Sequence, residues 1–194
     1  MFDKYNASAI GMLKIKDKET GTVLRDKTNA IHFANLSRII ALGLAGRDEG
    51  HMRYMCFGNG GSSITPAGTI FYRTPNTSII YDETADLYNE TYSKDLLTEN
   101  TEENNISVLE NTNSNYTDIV FTCTLGFGEP SGQNLSDNSP NIDTGEFVFD
   151  EIGIKSSDVN SYPALLLTHV IFSPLEKSLN RVIEIEYVVR IQMG

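Results

Sequence analysis

The chain has 194 residues, 40% of them hydrophobic, and a formal net charge of −11, a size that suits one domain with a real core. No apolar run approaches the roughly 20 residues that cross a bilayer, and Met1 to Lys16 lacks the apolar stretch of a signal peptide. Residues 82–151 carry 16 Asp and Glu against the single Lys94, while the rest is net +4; such a surface repels phosphates, so neither nucleic acid nor membrane is expected as a partner.

Taken in chain order, Gly11 to Asp17 reads as a strand and Lys18 to Gly21 as a turn. Thr22 to Arg25 then returns as the second arm of a charged hairpin. Thr28 or Asn29 is expected to cap a helix over about 30–45, with Leu36, Ile39, Ile40 and Leu44 at helical spacing and Gly46 as its stop. Met52 to Phe57 reads as a strand entering the loop Gly58-Asn59-Gly60-Gly61. Residues 82–115 read as a polar, acidic insertion or arm, with a short helix or extended piece around Leu87 to Leu97.

Ile119, Phe121, Cys123, Leu125 and Phe127 alternate with smaller or polar residues, which marks a strand. Glu129 to Gly145 reads as a loop, followed by strands at Phe147 to Ile154 and Leu165 to Ser173. The clearest pattern closes the chain: from Val182 to Met193, Ile183, Ile185, Tyr187, Val189, Ile191 and Met193 share one face. The expected fold is mainly β (α+β), an antiparallel sandwich or a curved sheet with one packed helix, in a single domain over 1–194.

Chemical motifs are sparse. Gly58-Asn59-Gly60-Gly61 begins like a phosphate-binding fingerprint but lacks its third glycine and a following helix, so a tight turn is expected. His32, His51 and His169 have no zinc spacing, and Cys56 and Cys123 sit in apolar contexts as buried free thiols. His169, Ser173 and Asp150 would make a triad only if the sheet brought them together, without the usual strand–turn–helix elbow. Asp137, Asn138, Asp143 and Glu146 form an oxygen-rich loop that departs from the EF-hand spacing. Asp150 and Glu151 interrupt an apolar strand, where an exposed edge or ion pairs with Arg181 or Arg190 would accommodate them. Neither a cofactor nor a catalytic or metal site is expected.

Three segments together carry a resemblance: Asp26-Lys27-Thr28-Asn29-Ala30-Ile31-His32; Met55 to Gly61 with Leu87-Tyr88-Asn89-Glu90-Thr91-Tyr92; and Phe147 to Ile154 with Leu167 to Pro174 and Ser178 to Arg181. They resemble a group of uncharacterised virion structural proteins from large contractile-tailed bacteriophages, over most of the chain except about 98–115 and 130–143. The resemblance implies a non-enzymatic subunit, made in the host cytoplasm and built into the virion as a neck, tail or baseplate component or a capsid decoration. Other virion proteins and copies of itself would then be its partners. Charge asymmetry singles out Lys14, Lys16 and Lys18 on the hairpin, and Asp82, Glu83, Glu102 and Glu103 on the acidic segment, as contact residues. A rival reading is a carbohydrate- or receptor-binding module of a fibre, with Tyr72, Tyr81 and Tyr162 as platforms.

Overall fold

The structure, a computed structural model, describes residues 7–77, 80–131, 148–159, 162–178 and 180–193. Its strands in chain order are β1 (Ala7–Asp17), β2 (Val23–Ile31), β3 (Met52–Gly58), β4 (Ser62–Ile64), β5 (Ile70–Tyr72), β6 (Glu90–Asp95), β7 (Asn105–Glu110), β8 (Tyr116–Leu125), β9 (Val148–Ser156), β10 (Leu166–Glu176) and β11 (Ile183–Met193). Nine of them form one antiparallel sheet, in the order β6-β3-β9-β10-β2-β1-β11-β8-β7, curled into a half-barrel. Of the two expected architectures, the curved sheet is the one adopted.

Alternation builds the concave core. Ile183, Ile185, Tyr187 and Val189 of β11 are at most 1% exposed, and β11 pairs with β1 on one side and β8 on the other. Leu13 and Ile15 of β1, Phe121, Cys123 and Leu125 of β8, Phe57 of β3 and Phe149 of β9 join the same cluster. Burial of side chains this large is the main favourable contribution to folding, at about 25 cal/mol per Å² of apolar surface. Cys56 and Cys123 are both free and buried, and burial pushes both thiols up.

The helix starts later than its capping pattern suggests. Thr28 and Asn29 are still in β2, opposite Met12 and Gly11, and Ala30 and Ile31 then pair with His169 and Thr168 of β10. Strand pairing on both sides therefore outcompetes local capping at these positions. α1 (Phe33–Leu44) is capped instead by His32, whose Nδ1 accepts from the Asn35 N–H. Leu36 and Ile39 are buried, but Ile40 is 38% and Leu44 87% exposed, so only part of the expected apolar stripe faces the sheet. Gly46 takes a positive φ of 66° just past the helix, as its stop position requires.

Residues 82–115 are woven into the sheet at both of its ends. β6 pairs with β3 and β7 with β8, joined by α2 (Leu96–Glu99), whose Leu96 is fully buried. Lys94 of β6 spans the gap between the sheet ends: its buried ammonium donates to the Thr124 carbonyl of β8 at 2.9 Å and to Glu129 at 2.8 Å. The Asn104 side chain accepts from the Thr124 N–H, so both backbone groups of Thr124 are satisfied beyond the end of β7.

Candidate functional site

The outer face of β9 is unusual in being covered. Every residue from Val148 to Ser156 is buried, and the cover is the segment between β3 and β6, with Ala85 and Leu87 packed on Cys56 and Leu166. This strap carries little regular structure of its own, only the β4–β5 hairpin, so its backbone donors need partners. Asp150 and Glu151 supply them. Asp150 accepts from the Gly61 N–H at 2.8 Å and the Ser62 N–H at 2.7 Å, and Glu151 from Gly60, Tyr88 and Asn89 at 3.0, 3.0 and 2.8 Å.

The Gly58–Gly61 loop is thus an anion cradle filled by the chain's own carboxylates. Glycine is required there by close approach: a Cβ on Gly58 would lie 2.5 Å from the Asn89 carbonyl, and one on Gly60 2.7 Å from the Asn89 nitrogen. The expected ion pairs to Arg181 and Arg190 do not form. Arg181 pairs with Asp17 and Arg190 with Asp118, because Arg190 lies on β11 and Arg181 just before it, several strands from β9.

His169 of β10 completes the cluster. Its Nδ1 accepts from the Asn76 N–H at 2.8 Å, so the ring proton sits on Nε2, 2.9 Å from Glu151 Oε2. Burial alone would raise the Glu151 carboxyl, but the His169 bond and the backbone N–H groups outweigh it and hold it below the usual range. Burial wins at Asp150, whose carboxyl is raised despite Ser62 and Gly61. Lys155, also on the outer face of β9, pairs with Asp86 and with Glu90 at 2.7 Å, pinning the far end of the strap. The suggested triad does not assemble: both ring nitrogens of His169 are engaged elsewhere, Nε2 with Glu151 in place of Asp150 and Nδ1 with the Asn76 N–H. Among the described residues no group of three or more His, Cys, Asp or Glu could hold a metal ion; the loop with Asp137, Asn138, Asp143 and Glu146 lies outside the described residues.

A second, open site lies along α1. A cavity of about 280 Å³ is lined by Arg38, Arg47, Glu49, Tyr81 and Tyr162, with Leu42, Pro163 and Leu165 as apolar neighbours. A shallower depression of about 610 Å³ adjoins it through the shared Arg38 and Tyr81 and continues to Phe33, Ala34 and Ser37. The Arg38 guanidinium lies 4.6 Å from the Tyr81 ring centroid, and its Nε is buried without a hydrogen-bond partner among the described residues. Arg47 pairs with Glu49 at 3.5 Å. A hydrogen bond from its own backbone N–H, with help from Arg47 and Arg38, holds the Glu49 carboxyl below its ordinary range. Gly50 makes this packing possible, since a Cβ there would sit 2.2 Å from the Gly43 nitrogen of α1. Of the three tyrosines suggested as platforms, Tyr81 and Tyr162 share this cavity and Tyr72 does not.

The charged residues expected to make contacts are distributed over the fold. Lys14 faces Asp26 and Lys16 faces Glu184, each at 3.9 Å, across the outer face of the sheet. Lys18 bonds Glu103, so the basic hairpin and the acidic segment meet within one molecule. Glu102 contributes its carbonyl to the Asn105 side chain. Asp82 holds Thr84 in a turn and is tied by its backbone to Asn35 of α1, while Glu83 accepts from the Tyr81 hydroxyl. Asp82 and Glu83 therefore border the α1 site, and sequence reasoning missed Arg38 and Arg47 because nothing in the order of residues shows that α1 and the strap meet. No protein-family model, curated protein or solved structure matches this chain.

Proposed function

We propose that the chain is a non-enzymatic structural subunit of a tailed-phage virion, bridging neighbours in the neck, tail or baseplate or decorating the capsid. The resemblance supplies the class, and one observation supports an assembly role: β7 ends the sheet with Val108 61% and Leu109 54% exposed. A sheet-edge strand with apolar side chains open on both faces is a template for strand addition by a neighbour. The buried ionisable groups fit the same reading, since Asp150, Glu151, His169 and Lys155 are engaged in holding a strap over the sheet.

Quantitative mass spectrometry of purified particles tests it. On the order of six or twelve copies favours the neck, tail or baseplate, and copies on the order of hundreds favour capsid decoration. Absence from the particle overturns the proposal.

A further inference from the structure

We propose that the groove along α1 binds an acidic peptide segment, with Arg38 as the residue that receives its carboxylate. The inference deepens the assembly reading, since a neighbouring protein would supply the peptide, but the binding itself is measured on the isolated protein.

The groove is laid out by helix geometry. Phe33, Ser37, Arg38 and Leu42 line it, and Phe33 to Leu42 is nine steps of α-helix, or about 13 Å at 1.5 Å per residue. An extended peptide advances about 3.3 Å per residue, so about four of its residues fit this length.

Charge then selects the ligand. The groove lining holds two guanidiniums and one carboxylate, Glu49, which pairs with Arg47, while the carboxylates of Asp82 and Glu83 at its border are engaged by Thr84 and by the Tyr81 hydroxyl. The Nε of Arg38 is buried and has no hydrogen-bond partner among the described residues, and the guanidinium packs on the Tyr81 ring. A buried donor without an acceptor is destabilising, a deficit that an incoming carboxylate removes with a charge-assisted bond. Stacking on Tyr81 holds the guanidinium in place beforehand, which lowers the entropy lost on binding.

The remaining surface fits a peptide better than a sugar. Ile40 and Leu44 of α1 and Ile80, just before Tyr81, expose apolar side chains, at 38%, 87% and 72%. The cavity pairs its tyrosines with leucines and a proline, and among the described residues its polar lining is two arginines and one glutamate, with no Asn, Gln or Asp. Apolar and acidic side chains alternating along an extended strand match this lining.

Fluorescence anisotropy on the full chain would use labelled octapeptides alternating Glu or Asp with Leu or Phe. Lys-for-acid counterparts and oligogalacturonate serve as comparisons. We expect saturable binding of acidic peptides alone, weakened by salt, with Arg38→Gln losing about tenfold or more in affinity, one lost charge-assisted bond. Arg47→Gln, altering a half-exposed side chain, is the check should Arg38→Gln disturb folding, and it should lose several-fold. Tyr72→Ala should bind as the parent does. Three outcomes overturn the proposal: no saturable binding of any acidic peptide, binding that survives loss of both arginines, or binding of oligogalacturonate alone. None of these depends on whether the chain is found in the particle.

Discussion

Strands β9 and β11 both place charged side chains on the outer face of the sheet, and the two sets sit in different media. On β11, Glu184 and Glu186 stand opposite Lys16 and Lys14 of β1 with water above them. On β9, Glu151 and Lys155 lie under the strap, at 0% and 8% exposure. Exposed pairs gain little because water screens them and the side chains lose freedom. Covered charges are costly to bury unless every lone pair and proton has a partner. The same residue types are therefore surface detail on one strand and the fastening of a layer on the other.

Glu151→Ala should break that contrast most severely. It leaves the N–H groups of Gly60, Tyr88 and Asn89 and the Nε2–H of His169 without their acceptor. We expect a loss of about 3–5 kcal/mol, the usual result of removing one member of a buried charged network, read from urea unfolding. Glu151→Gln keeps acceptor capacity and should lose less. A loss under about 1 kcal/mol for the alanine variant would mean that the strap is held by apolar packing alone.

Acid titration sharpens the same point, because neighbouring carboxyls should act with opposite sign. Glu151 is depressed in the fold, so its stabilisation is present above the unfolded value of about 4.3 and is lost as pH falls through the folded value. Asp150 is raised, so its contribution is present below about 3.9 and is lost as pH rises through the folded value. Urea midpoints between about pH 3 and 6 should then show a shallower acid-side loss for Glu151→Gln and a steeper one for Asp150→Asn. Equal slopes in the two variants would contradict this assignment. The depressed carboxyls of Asp95 and Asp118 are common to both variants and drop out of the difference.

At the seam between the sheet ends a smaller effect is expected. Lys94→Met removes the donor to Thr124 and to Glu129, but the Glu129 side chain is 35% exposed and can be rehydrated. A loss of about 1–3 kcal/mol follows from the unsatisfied groups, checked by the same unfolding measurement. Hydrogen exchange should rise first in β6 and at the Thr124 end of β8, which the seam joins.

What could be read in advance depended on whether a pattern was local. β11, β8, the β1–β2 hairpin and the curved-sheet alternative follow from alternation within each segment. The helix start failed because the pairing of Asn29 with Gly11 and of Ala30 with His169 is invisible to a capping rule. Two oddities were legible singly: the glycine-rich loop at 58–61 and the Asp150-Glu151 pair inside an apolar strand. They are each other's partners, about 90 positions apart, and only the fold joins them. Nothing in the helical spacing marks Arg38; its place against Tyr81 comes only from the fold.

The mildest change concerns the open face. Lys14→Gln, Lys16→Gln and Lys18→Gln together remove the pairs with Asp26, Glu184 and Glu103, all between partly exposed side chains. Surface pairs of this kind contribute about 0–1 kcal/mol each, so the triple variant should lose about 0–3 kcal/mol in all, toward the low end because water screens each pair. Charge reversal to Glu is a poorer test of docking, because it sets like charges against Glu184 and Glu186 across the ladder and mixes folding with association. Neutral glutamines separate the two. If the hairpin is a contact surface, the triple variant should fold normally and enter particles less often than the parent; normal incorporation would remove these three lysines from the contact surface and leave the free edge of β7 and the α1 groove to carry it.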